Sequence, residues 1–175
     1  FTSHLVSKIS NVGVREACGH PVLCSHLVGV VTELEKELKQ QFFVEMEYIV
    51  MDTQKSGSNP TCDAAITAVI SSGNFGRPML LVEYKPSISV SKNNVDVNAL
   101  MEVMIQGFYC LHYRNIPCVI HCLTDLYNWY YFGLKKVDSK NSKLKVEWYN
   151  IIQRQDGNID VHVEFLKPYF VFMSA

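Results

Sequence analysis

Residues 78–87 read PMLLVEYKPS, an apolar run from Met79 to Val82 that turns abruptly into Glu83, Tyr84 and Lys85 before Pro86. A short apolar run bounded by turn residues predicts a buried strand, here Met79 to Lys85. Pro86 lacks the N–H that a central strand needs, so it ends the strand or holds it to an edge. Side chains two apart on a strand share a face, so Glu83 and Lys85 point together and Tyr84 points away.

Upstream, CDAAITAVI predicts a second strand from Cys62 to Ile70, with SSGNFGRP as the turn between the two. Asp63 opens that strand, twenty positions before Glu83. An antiparallel hairpin of this spacing can set Asp63 beside Glu83. Further upstream, QFFVEMEYIVMD alternates with period two and predicts a half-exposed strand, followed by the turn-rich TQKSGSNPT. Leu27, Val31, Leu34 and Leu38 recur at helical spacing, so a helix is expected from about Pro21 to Gln41, with Pro21 in its first turn.

Downstream, Val97, Leu100, Met101, Met104, Ile105 and Phe108 mark a second helix that stops near Asn115-Ile116-Pro117. CVIHCLTDL, from Cys118, predicts a buried central strand. WYYFGLKKV, KLKVEWYNIIQR and VHVEFLKPYFVF then read as further strands. The expected order is αβββαβ with a β-rich C-terminal extension, an α+β fold around a mixed sheet. One domain is expected over 1–175, with its core at roughly 20–126 and the extension at 127–175.

The composition agrees. Hydrophobic residues make up 48% of the 175, enough for a sizeable core and too many for a disordered chain. Sixteen basic against seventeen acidic residues exclude a uniformly basic nucleic-acid binder but not a local basic patch. No apolar stretch is long enough for a membrane span. The opening FTSHLVSKIS does not read as a signal peptide, and the six cysteines sit mostly in apolar runs. A reducing, intracellular setting, nuclear or cytoplasmic, is therefore the expectation.

Two carboxylates placed together repel, and a hard divalent cation with oxygen ligands relieves that repulsion. A neighbouring ammonium suits the orientation of an attacking water or the charge of a phosphoryl transition state. Asp63 with Glu83-Tyr84-Lys85 at a later strand end resembles the PD-(D/E)xK nuclease superfamily, the restriction-endonuclease-like fold. The order of helix, three strands, helix and strand resembles that family's core. The resemblance implies a nuclease that hydrolyses DNA or RNA with Mg²⁺ or Mn²⁺. It implies Asp63, Glu83 and the Tyr84 backbone carbonyl as metal ligands, and Lys85 as the residue that positions the nucleophile. It also implies a Glu on the first helix and a Gln on the second near the site. Glu35, which borders the apolar stripe, and Gln106, which interrupts MEVMIQGFY, are the candidates. The family's Pro-Asp pair is absent, since Pro60 precedes Asp63 by three positions.

Each of these residues also has an ordinary structural explanation. Asp63 can bond a nearby backbone N–H, Glu83 and Lys85 can form a solvated pair, Gln106 can be a satisfied buried amide, and Glu35 can be a helix-surface charge. Cys118 and Cys122 face away from His121 on a strand and lack the spacing of a zinc site. His20 and His26 lie near the first helix, and in some related RNA-cutting enzymes a histidine there joins the metal site. Lys135, Lys136 and Lys143 are candidates for tracking a phosphate backbone, although lysines also protect sheet edges. The aromatics of FLKPYFVF pack on the sheet or form a homodimer contact. A larger multidomain parent is a further expectation. The alternative function is an inactive member of the same fold that binds protein or nucleic acid.

Overall fold

The computed structural model describes residues 12–50, 60–69, 76–86, 97–137, 145–154 and 158–174. In chain order these form α1 (Val12–Leu38), β1 (Phe42–Ile49), β2 (Thr61–Ala68), β3 (Arg77–Tyr84), α2 (Val97–Tyr113), β4 (Cys118–Thr124), β5 (Trp129–Val137), β6 (Lys145–Arg154) and α3 (Ile159–Ser174). The protein is α+β, with one mixed sheet of six strands whose spatial order is the chain order.

β1, β2 and β3 form an antiparallel meander. β3 and β4 are parallel, and the return needed between parallel strands is made through α2. β5 and β6 then extend the sheet antiparallel. Alternation along β3 and β4 divides the core. Leu80, Val82, Tyr84, Ile120 and Cys122 pack against α1 and α3 through Leu23, Leu27, Leu34, Leu166 and Phe170. Leu81 and Val119 pack against Cys110 and Leu111 of α2, while Leu123 and Phe132 meet Ala99 and Val103. Both central strands are covered on both faces, which is why MLLV and CVIHCL read as nearly unbroken apolar runs.

Pro78 stands second in β3, opposite Thr67, where the β2–β3 register shifts between Ile66 and Thr67. A residue that cannot donate to the ladder is tolerated at such a bulge.

Two expectations are corrected. The first helix begins at Val12, so Pro21 lies inside it rather than in its first turn. The pyrrolidine ring is exposed while Leu23 and Leu27 are buried, so tertiary burial holds the helix through a residue that breaks its hydrogen-bond ladder. The segment VHVEFLKPYFVF is not a strand but most of α3. Its buried residues, His162, Val163, Leu166, Phe170 and Met173, follow helical spacing. The alternation of Val161, Val163 and Phe165 suggested period two. Asn158 caps the helix, its Oδ1 accepting the Asp160 N–H at 3.0 Å.

Candidate functional site

The last β2–β3 ladder pair at this end is Ala64 with Val82, which leaves Asp63 and Glu83 one step beyond it on adjacent strands. Asp63 stays close to β3, because its Oδ2 accepts the Tyr84 backbone N–H at 2.6 Å. Glu83 is 4% exposed and faces α2. Its Oε1 accepts from Lys85 Nζ at 2.6 Å and its Oε2 from Gln106 Nε2 at 2.9 Å. Lys85 also pairs with Glu102 Oε2 at 2.9 Å. Glu102 and Gln106 are four apart on α2, so both reach the same point.

The Gln106 amide is held from both ends. Its Nε2 also donates to the Thr61 carbonyl at 2.9 Å, and its Oε1 meets His121 Nε2 at 2.9 Å. His121 is fully buried, and burial pushes it down to about 3, so it is neutral at physiological pH. Because the Gln106 nitrogen donates to Glu83, the hydrogen-bond network assigns the imidazole proton to Nε2.

The other side of the site belongs to α1. Tyr84 is fully buried against this helix, and a Cβ added at Gly19 would stand 2.2 Å from its ring. Gly19 therefore permits the approach. His20 follows, with Nε2 3.3 Å from Asp63 Oδ1, at an angle that makes no hydrogen bond.

Burial raises Glu83, the Asp63 charge raises it further, and Lys85 and Gln106 pull it back, leaving it at about 7. For Lys85, burial works to lower the value, but Glu83 and Glu102 outweigh it and hold the ammonium protonated. A cleft of ≈430 Å³ opens beside these groups, lined by Thr61, Met101, Glu102, Ile105 and Gln106 among others.

The structure thus brings Asp63, Glu83, Lys85 and Gln106 together, with Tyr84 between the acid and the base. It does not bring Glu35. That carboxylate accepts the Phe42 N–H at 2.8 Å, where the chain leaves α1 for β1. At 1.5 Å per residue it lies about 22 Å along the helix from His20. Lys135 sits opposite Cys118, at the start of β4, whereas Tyr84 sits opposite Thr124 at its end. The basic pair is therefore about 20 Å from the acidic site. Lys136 donates to Asn115 Oδ1 at 3.1 Å. Lys143 falls outside the described residues. The residues not anticipated at the site are Glu102 and His121. Glu102 was visible as the i−4 neighbour of Gln106, and His121 had no local signal.

Among the described residues no three His, Cys, Asp or Glu side chains form a metal-holding group. The donor chemistry here is of another kind: two side-chain carboxylates on adjacent strands, one half-protonated near neutral pH, with the Tyr84 backbone carbonyl one residue after Glu83. These are hard oxygen donors, and that set fits a hydrated Mg²⁺ or Mn²⁺. Comparison with protein-family models, curated proteins and solved structures finds no match for this chain.

Proposed function

We propose that the protein is a metal-dependent nuclease of restriction-endonuclease-like fold that hydrolyses phosphodiester bonds of DNA or RNA. The observation that carries this is a buried carboxylate, Glu83, that feels the charge of a second carboxylate, Asp63, on the adjacent strand, with a protonated lysine bonded to Glu83. Support comes also from the setting: an antiparallel β1–β3 meander, a helical return and a parallel β4, with the acids at the ends of β2 and β3.

Asp63, Glu83 and the Tyr84 carbonyl would hold the ion. When bound, a divalent ion supplies a water acidified for attack and neutralises charge on the phosphoryl group. Gln106 fixes the plane of the Glu83 carboxylate, and His121 fixes the amide of Gln106. Lys85 presents an ammonium that orients the attacking water, and Glu102 keeps that ammonium charged. Glu83 must lose its proton to serve as a ligand, so affinity for Mn²⁺ should rise between pH 6 and pH 8, around its value of about 7.

The test is calorimetry with Mn²⁺ beside cleavage of single- and double-stranded DNA and RNA. Asp63→Asn should weaken Mn²⁺ by ~10-fold or more and abolish cleavage. Lys85→Ala should retain the metal and lose ~100-fold or more in turnover. A wild-type chain that binds no Mn²⁺ at millimolar concentration, or variants that cut as well as wild type, would overturn the proposal.

A further inference from the structure

At the end of the sheet remote from Glu83, the protein contains a second and more apolar cleft of ≈560 Å³. Its floor is the start of β4 and the end of β5, and its wall is the C-terminal half of α3. Ile120 and Tyr131 lie beneath, with Phe165, Pro168 and Phe172 alongside. Tyr131 and Phe165 stand ring to ring at 4.7 Å, and Phe165 and Tyr169 at 5.3 Å, so the wall is a continuous aromatic surface. The volume falls in the range of small-molecule sites, about 300–1,000 Å³. Protein interiors are close-packed, and an apolar lining offers water few partners, so a cleft of this kind is better filled by an apolar ligand than by solvent.

The cleft is also polarised. It continues into a smaller chamber of ≈160 Å³ that shares Cys118, Lys135, Phe172 and Met173 with it and adds Arg77. Arg77 gives one N–H to the Met173 carbonyl at 2.7 Å. Its Nε is buried and has no hydrogen-bond partner among the described residues. A buried donor without an acceptor is unfavourable unless a ligand supplies one. Lys135, an exposed residue, lines the same end. One end of an otherwise apolar cleft therefore carries two cations, Arg77 beside the Cys118 thiol and Lys135.

We propose that this cleft binds a free amphipathic carboxylate of the fatty-acid class. Its chain lies along the α3 aromatics and its carboxylate lies between Arg77 and Lys135. The proposal is independent of the nuclease site, with which the cleft shares no residue. It gives Lys135 a partner other than a phosphate backbone.

The experiment is calorimetry on the full chain with dodecanoate, dodecanol and dodecylamine. Dodecanoate should bind saturably at one site, with the amine at least ~10-fold weaker. Lys135→Glu, at an exposed position, should weaken dodecanoate by ~10-fold or more and leave dodecanol unchanged. Phe172→Asp, where the ring is 70% exposed, should weaken the acid and the alcohol together. Absence of saturable binding would overturn the proposal, as when a second copy of the chain fills the cleft. So would equal affinity for acid and amine, or a Lys135→Glu variant that binds dodecanoate like wild type.

Discussion

Glu47 holds a backbone φ of 52° within β1, a left-handed conformation that residues other than Gly, Asn and Asp rarely adopt. The consequence is visible on either side of it. Val44 and Met46 pack toward α1 and α3, whereas Tyr48 and Val50 pack toward α2, although all four share the same parity. Pairing with β2 continues from Met46–Ala64 to Tyr48–Cys62, so the turnover of faces occurs beside Asp63. β2 changes face there too, with Ala64 on the α1 side and Cys62 on the α2 side. Backbone strain of this kind gathers at functional positions. Glu47→Gly should relieve it and raise unfolding free energy by about 0.5–1 kcal/mol, after the entropy lost by a strand glycine. Urea denaturation reads this directly, and a loss of stability would mean the Glu47 side chain matters more than its backbone. Asp63, Glu83 and Lys85 were legible as single residues because charge in an apolar strand is conspicuous. Glu47 was not, since its sequence neighbourhood alternates as an ordinary strand does.

Contact between α1 and β3 decides how close His20 comes to Asp63. Gly19 is a helix-interior glycine, and alanine there would ordinarily stabilise a helix by about 1 kcal/mol. Here the added methyl would meet the buried Tyr84 ring at 2.2–2.4 Å. Gly19→Ala should therefore destabilise the protein, by about 1–3 kcal/mol. On the proposed role of the Tyr84 carbonyl as a metal ligand, it should also weaken Mn²⁺ binding. A thermal melt showing a gain would mean that α1 moves aside freely. The element boundaries show where sequence patterns mislead. Pro21 looked like a helix start because a proline is best tolerated there, yet burial of Leu23 and Leu27 carries the helix past it. The segment 161–172 looked like a strand because its first apolar residues alternate, yet Leu166 and Phe170 land on one helical face against α1 and the sheet. The strands β2 to β4 were legible because their runs are short, apolar and bounded by turn residues, and β1 because its residues alternate with period two.

Across the whole molecule, buried ionisable groups pull stability in opposite directions with pH. Glu83 stands at about 7 against an ordinary 4.5, first through burial and then through the charge of Asp63. Between those values the folded chain keeps a proton the unfolded chain has lost, so stability falls as pH rises through that window. His26 and His121 are pushed down by burial from 6.5 to about 4 and about 3. As pH falls below 6.5, the unfolded chain takes up protons that these imidazoles refuse, and stability falls again. His26 lies 4.6 Å from the Trp129 ring and 4.9 Å from that of His162, whose Nδ1 is 2.5 Å from the Tyr131 hydroxyl. Burial of His26, and after it the neighbouring His162, therefore disfavours the charged form of His26. Metal-free protein should be most stable near pH 6.5. Glu83→Gln should abolish the decline between pH 6.5 and 7.5 while leaving the acidic limb in place. Melting temperatures from pH 4 to pH 8 in the presence of a chelator test this, and identical curves for the two proteins would contradict it. Among the described residues no helix is long and apolar enough to cross a membrane.

The amino-acid order by itself determined the strands of the central sheet and the acids and lysine that break their apolar runs, because strand alternation and burial are written locally. Only the tertiary structure decided that Glu35 caps the start of β1, that His20, Glu102 and His121 complete the acidic site, and that Lys135 faces a different cleft. Those outcomes depend on where helices end and how they dock, through packing between residues far apart in the chain.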